Sequence, residues 1–176
     1  YRRGDAEADA VRTGRRPLLI QSASDVEELA AIAGFVTDVV DDVTVGFGDV
    51  AVAVPTNQMG AKVESALQAA GIPVQLLQNY NGVPSAAVKV GTHHRIKGLE
   101  FKIVFLPFLS AKRFPVIPAG VKDADERREH EERSLSQLFV AMTRARDRLI
   151  VTCTGDPATP IISALDRFDV VDGARD

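Results

Sequence analysis

The sequence predicts an α/β protein built on a parallel sheet, and three observations lead there. Val50 to Val54 is an unbroken apolar run of the kind found in strands buried on both faces. Short apolar runs alternate with segments of helical periodicity along most of the chain, the pattern of a parallel sheet covered by helices. The length, 176 residues, suits one hydrophobic core.

Taken in order, Tyr1 to Arg16 is a polar lead-in rich in Arg, Asp and Ala, and residues 17–176 are expected to form a single domain. Leu18 to Ile20 can form a short strand. Ser24 or Asp25 can cap a helix whose first turn holds Glu27 and Glu28, where the helix dipole favours acids. Leu29, Ile32, Ala33, Val36 and Val40 then recur at helical spacing. Gly46 to Gly48 breaks that pattern ahead of the Val50 strand. Pro55-Thr56-Asn57 turns into a helix carrying Val63, Leu67 and Ala70 and stopped by Gly71.

Val74 to Leu77 and Ala86 to Gly91 are the next strands, with a turn around Asn81-Gly82 between them, and Lys102 to Leu106 is another, closed by Pro107. A loop with Pro115, Pro118 and Gly120 leads into the charged run Asp123 to Arg133, the solvated start of a long helix. In that helix Leu135, Leu138, Phe139 and Met142 form a core-facing stripe. Leu149 to Thr152 is a last strand and Ile161 to Leu165 a short terminal helix.

At 45% hydrophobic and 26% charged residues, the composition is that of a globular protein and excludes a disordered chain. The net charge of -3 supplies no global basic field, so any nucleic-acid contact must come from a local patch. A lone cysteine, Cys153, cannot form an internal disulfide and reads as a small buried side chain in a reducing compartment. No apolar run reaches membrane-spanning length and no signal peptide is visible, so a cytoplasmic location and no membrane contact are expected. With Tyr1 rather than methionine first, the chain is expected to be an excised fragment.

Two stretches carry chemistry. The first runs Val90-Gly91-Thr92-His93-His94-Arg95-Ile96-Lys97-Gly98-Leu99-Glu100-Phe101. A strand ends at Thr92, and ligands of open parallel sheets gather beyond the carboxyl ends of strands. Thr92, His94 and Lys97 are suitable donors to phosphate oxygens, whereas Glu100 is acceptor-only and suits a sugar hydroxyl or an arginine. On the residues alone, a surface turn with incidental charges and a salt bridge is the favoured reading. The second stretch is Leu138-Phe139-Val140-Ala141-Met142-Thr143-Arg144-Ala145-Arg146, at the end of the long helix. Arg144 lies off the apolar stripe, on the face shared with Gln137. The last turn of a helix favours cations, which is sufficient reason for Arg144, Arg146 and Arg148. The functional alternative is an arginine finger, a planar and permanently charged group able to follow charge developing on a γ-phosphate.

Together the two stretches resemble motifs V and VI of superfamily 1 helicases of the UvrD/Rep/PcrA type. Thr92, His94, Lys97, Gly98, Leu99, Glu100 and Phe101 stand in register with the family pattern T-x-H-x-x-K-G-L-E-F. A weaker likeness covers Asp49 to Leu77, where Val50 to Val54, Thr56-Asn57 and Gly71-Ile72-Pro73 are similar to the family's motif IV neighbourhood. Pro55 departs from it, since relatives usually have arginine there. In all, the resemblance extends from Leu18 to Thr154.

The resemblance implies a RecA-like sheet flanked by helices, the second motor domain (2A) of an ATP-dependent DNA helicase or translocase. Arg144 would be the catalytic arginine finger; Glu100 and Gly98 would lie on the nucleotide. Thr92, His94, Lys97 and Asn57 would hold single-stranded DNA. Arg146 and Arg148 occupy positions where the family varies and read as surface or sheet-supporting charges. No G-x-x-x-x-G-K-[ST] phosphate loop occurs, so nothing here cradles a triphosphate through loop amides. ATP and Mg²⁺ would rest mainly on an absent amino-terminal RecA-like domain of the same parent chain, and no residue here is assigned to a metal. The parent would hydrolyse ATP and the isolated fragment would not. Pro73 to Val90 is far too short for the large 2B insertion of many relatives. The alternative is a non-catalytic module on the same fold that binds nucleic acid or RNA polymerase.

Overall fold

Alternation along the strands divides the buried side chains between two faces of one sheet. The computed structural model describes residues 15–40 and 44–173. Its strands are β1 (Leu18–Ser22), β2 (Val50–Val54), β3 (Val74–Leu76), β4 (Val88–Thr92), β5 (Phe101–Leu106), β6 (Ala145–Thr154) and β7 (Asp169–Asp172). All seven pair in parallel, in the order β3-β4-β2-β5-β6-β1-β7. Val50, Val52 and Val54 point to one face with Ile103, Phe105 and Ile150, where the helices α1 (Asp25–Val40) and α2 (Asn57–Ala69) pack through Ile32, Val36, Val63 and Leu67. Ala51, Ala53, Val104, Leu106 and Val151 point to the other face. There α3 (Ala124–Met142) and α4 (Thr159–Ile162) bring in Leu138, Ala141 and Ile161. A seven-stranded parallel sheet flanked by helices is the RecA-like class that the sequence resemblance implied.

The helix boundaries follow from local chemistry. Thr56 Oγ1 accepts a hydrogen bond from the Met59 amide at 3.3 Å and starts α2, and Gly71, at φ 75°, ends it. Asp123 Oδ1 accepts from the amides of Asp125 and Glu126, both at 3.0 Å, so the charged run from Asp123 does open a helix. Cys153 is buried, and burial, together with the neighbouring Glu28 and Asp156, pushes its thiol up to about 12.

Several expectations are corrected. Phe139 is not core: 57% of its surface is exposed, and Ala141 takes its place in the buried stripe with Leu138, while Leu135 and Met142 are only partly buried. The helix seats on the sheet along a line through Leu138 and Ala141, which turns Phe139 sideways to solvent. β6 begins at Ala145 rather than Leu149, so Arg144 lies past the helix end and not on a helical face with Gln137. The segment expected as a helix from Ile161 to Leu165 is a short turn of α4 followed by a 3₁₀ turn over Leu165–Arg167. β7 was not anticipated at all, because Asp169 to Asp172 is a four-residue edge strand with every residue exposed, its two valines too few to show a periodicity. Residues 1–14 of the polar lead-in lie outside the described residues. Arg16, its last member, donates to the carbonyls of Asp166 and Phe168 and pairs with Asp169 at 3.4 Å, which ties it to β7.

Glu28 is the largest departure. It stands in the first turn of a helix as expected, yet it is fully buried. Its Oε1 accepts from the Phe108 amide at 2.8 Å and from Thr152 Oγ1 at 2.6 Å, and its Oε2 accepts from Thr154 Oγ1 at 2.7 Å. One turn earlier Asp25 accepts from Arg113 Nη2 at 2.6 and 2.8 Å, a contact that holds the Asp25 carboxyl below the usual carboxylate range. These two acids lash α1 to the end of β6 and to the segment after β5, where Phe108 takes φ 63°. A carboxyl can be buried in this way because fixed donors replace its water.

Candidate functional site

The loop between β4 and β5 is a tight helical turn with a built-in division of side chains. The amides of Arg95 and Ile96 donate to the Thr92 carbonyl at 2.9 and 3.2 Å, and the Leu99 amide donates to Ile96 at 3.1 Å. His93 and Ile96, three residues apart, therefore point inward together. Ile96 is fully buried, and the His93 ring meets Phe114 edge-on with centroids 6.1 Å apart. His94, Arg95 and Lys97 are left pointing out, all three exposed. Burial depresses the His93 imidazole from 6.5 to about 4, outweighing an opposing hydrogen bond to the Ala53 backbone, so the ring is neutral near pH 7. Gly98 closes the turn at φ 84°, a conformation that side-chain-bearing residues resist.

Thr92, His94, Arg95, Lys97 and Gly98 line one open depression, floored by Leu77. A second depression beside it is lined by Asn57, Gly60, Glu64, Gln78 and Arg95 among others. Both lie at the carboxyl edge of the sheet, because Thr92 ends β4 and pairs with Val54, which ends β2. The structure thus brings Asn57 onto the same edge as Thr92, His94 and Lys97, as expected. Gly98 joins this group and not the one around Glu100. Gly91 makes that edge compact: a Cβ there would stand 2.7 Å from a Leu77 methyl.

Glu100 and Arg144 belong to the opposite edge. Glu100 directly precedes β5 and Arg144 directly precedes β6, and in a parallel sheet both positions are amino ends. They flank one backbone hydrogen bond, from the Phe101 amide to the Arg144 carbonyl at 3.0 Å. Arg144 folds back on the end of α3. Its Nε donates to the Val140 carbonyl at 3.2 Å and its Nη2 donates to Thr143 Oγ1 at 3.1 Å. Guanidinium has five N–H groups, so three remain available to a ligand. Glu100 opens onto a small pocket with Tyr80, Leu99, Asp49, Lys102 and Arg146. Lys102 Nζ is bound to Asp49 at 2.9 Å, and the Asp49 carboxyl is lowered by its Gly46 and Lys102 hydrogen bonds against the cost of burial. Among the described residues no ion pair or side-chain hydrogen bond engages Glu100, which sets aside the salt-bridge reading of this position.

Two residues on these edges escaped the sequence reading. Arg146, read as a surface or sheet charge, lines the Glu100 pocket, because β6 holds one more residue than β5 between the pairs Phe101–Ala145 and Ile103–Arg148. Only the pairing reveals that bulge. Arg95 links the two depressions of the carboxyl edge, and its signal was there: it is a permanent cation in the same turn as His94 and Lys97, next to the buried Ile96.

A parallel sheet flanked by helices in this way is the fold of RecA-like helicase C-terminal domains. The C-terminal domain of a possible DNA helicase from Lactobacillus plantarum superposes with a TM-score of 0.64 at 18% identity, covering 92% of this chain and 87% of that one. The C-terminal domain of S. cerevisiae Dbp5, bound to Gle1 and IP6, gives 0.59 at 11% identity, covering 91% of each chain. Residues 79–156 match the UvrD-like helicase C-terminal domain family. Over 65 residues the chain is 42% identical to the ATP-dependent DNA helicase PcrA of Staphylococcus epidermidis and equally to that of Staphylococcus aureus. That stretch is 37% of this chain and 8% of the length of either relative. Over residues 79–156 the chain is thus similar to the UvrD-like helicase C-terminal domain, and its fold is that of RecA-like helicase C-terminal domains.

Proposed function

We propose that this chain is the second motor domain of an ATP-dependent superfamily 1 DNA helicase or translocase, a bare domain 2A without the 2B insertion. The observation that carries the proposal is the split of motif residues between two edges of one sheet. Glu100 and Arg144 flank a single backbone hydrogen bond at the amino edge, and Thr92, His94, Lys97 and Asn57 line the carboxyl edge. The likeness to PcrA over 65 residues supports the same reading.

On this reading ATP sits between the amino edge and an amino-terminal RecA-like domain of the parent, which supplies the phosphate loop and the Mg²⁺ carboxylates. Glu100 accepts from the ribose hydroxyls. Arg144 presents its free N–H groups to the γ-phosphate and stabilises the charge that develops as the terminal P–O bond breaks. Its tether to Val140 and Thr143 limits the orientations it must lose to do so. Gly98 serves the nucleotide only indirectly, by turning the chain so that Glu100 leaves the carboxyl edge. Thr92, His94, Lys97 and Asn57 meanwhile hold the single strand by its phosphates. Closure of the cleft around ATP then becomes displacement along the strand.

The test is a double dissociation in the full-length parent. Glu100→Ala should raise the KM for ATP and leave nucleotide-free single-strand affinity intact. Thr92→Ala with His94→Ala should weaken single-strand binding equally for every base sequence, because phosphates carry no sequence information. Fluorescence anisotropy of a labelled oligonucleotide, with and without a non-hydrolysable ATP analogue, reads both effects. If Glu100→Ala damages nucleotide-free binding as much as the double variant does, the loop has one role and the reading fails.

A further inference from the structure

The helical turn after β4 shows His94, Arg95 and Lys97 to solvent, and Thr92, His94 and Lys97 account for only part of what it displays. Arg95 is exposed, and among the described residues it makes no ion pair or side-chain hydrogen bond. It lines both depressions of the carboxyl edge, the one with Thr92, His94 and Lys97 and the one with Asn57 and Gln78. No other residue of the turn does so. Its backbone is fixed by the hydrogen bond that its amide donates to the Thr92 carbonyl at 2.9 Å and by the burial of Ile96 beside it, so the side chain projects from a rigid base.

We propose that Arg95 is a backbone-binding residue for single-stranded nucleic acid, which carries the strand from the Thr92–His94–Lys97 depression across to Asn57 at the start of α2. The inference rests on the nucleic-acid role given to this edge above and extends it by one residue and one direction. Among the described residues Arg95 alone lines both depressions, and it has a permanent charge and a planar fork that fits phosphate oxygens. The far wall of the second depression limits the path. Glu64 stands there, its Oε1 3.5 Å from the Gln68 amide nitrogen that donates to it, and a carboxylate repels phosphate. The strand backbone therefore runs along the Arg95–Asn57 side and turns away before Glu64.

Salt dependence separates a phosphate contact from a merely structural arginine. In the full-length parent, binding of a labelled oligo-dT is followed by anisotropy from low to moderate salt. Each phosphate neutralised on a single strand contributes about 0.7 to the slope of log affinity against log salt. Arg95→Ala should lower that slope by about 0.7 and weaken binding at low salt several-fold, with the thermal midpoint unchanged. Arg95→Lys should keep the slope, because the charge remains. Glu64→Gln should tighten binding. If the wild-type parent binds the oligonucleotide but Arg95→Ala leaves its slope unchanged, Arg95 faces no phosphate and this inference falls while the role of the edge stands. If the wild-type parent does not bind single strands at all, both fall together.

Discussion

Protonation of His93 should destabilise the fold by an amount the structure fixes. The ring is buried against Phe114, its Nε2 has no hydrogen-bond partner among the described residues, and its pKa is about 4 against 6.5 when free. A base whose folded pKa is depressed takes up its proton more readily when unfolded, so stability is complete above 6.5 and declines as pH falls towards 4. The gap corresponds to about 3 kcal/mol once pH is below 4, at about 1.4 kcal/mol per pH unit. Between pH 7 and pH 5 the expected loss is roughly 2 kcal/mol. Asp25 and Asp49 contribute little in that window. Their carboxyls are lowered from 3.8, so the stability they confer is lost only at more acid pH. Urea unfolding at pH 7, 6 and 5 measures the loss directly in wild type and in His93→Leu, which cannot titrate. The variant should lose the pH dependence over this range whatever its stability at pH 7. Equal declines in the two proteins would refute the assignment of a buried imidazole whose Nε2 has no partner.

Two further outcomes follow from other parts of the chain. Arg144→Ala in the full-length parent should lower kcat for ATP hydrolysis by about 10³ or more while nucleotide affinity falls much less, since the finger acts on the transition state. Steady-state turnover within threefold of wild type would reduce Arg144 to a helix-end charge. Glu28→Ala should cost about 3 kcal/mol or more in chemical unfolding, because the Phe108 amide and the hydroxyls of Thr152 and Thr154 lose their buried acceptor together; a loss under 1 kcal/mol would mean that the network is incidental.

Legibility followed sequence distance. The apolar run Val50–Val54, the turn Pro55-Thr56-Asn57 into a helix, the Gly71 stop and the charged opening of α3 are local signals, and each reads correctly without coordinates. Thr92, His94, Lys97 and Glu100 were legible as a set because they fall within one turn and its exit. Glu28 was not, since its donors lie on β6 and after β5, and nothing in its own neighbourhood distinguishes a buried carboxyl from a helix-start acid. β7 was silent for a different reason: it is four residues long and exposed, and its pairing with β1 leaves no periodic apolar pattern to read. Arg146 depended on a bulge, which exists only in the pairing of two strands. Phe139 was misjudged because i, i+3, i+4 and i+7 fit more than one line along a helix, and the docking of α3 chooses between them.

The separation of the two edges also bears on how one loop could serve two ligands. The segment from Thr92 to Phe101 starts at the carboxyl end of β4 and finishes at the amino end of β5, so it crosses the whole sheet. Over that crossing it is pinned at His93 and Ile96, both buried, and at Leu99, which is partly buried against the same cluster. A loop anchored at three points does not flex independently of the core. On the proposed reading, a pull on phosphates at Thr92 and His94 therefore reaches Glu100 through packed side chains. The bond between the Phe101 amide and the Arg144 carbonyl carries it one strand further, to the arginine. Contiguity of this kind supplies a physical route for coupling, and the coupling itself is measurable. Loosening the middle anchor with Ile96→Ala, in a parent that still folds, should reduce the stimulation of ATP turnover by single strands more than it reduces the affinity for either ligand alone. Equal losses in all three would mean that the crossing segment only holds its two ends in place.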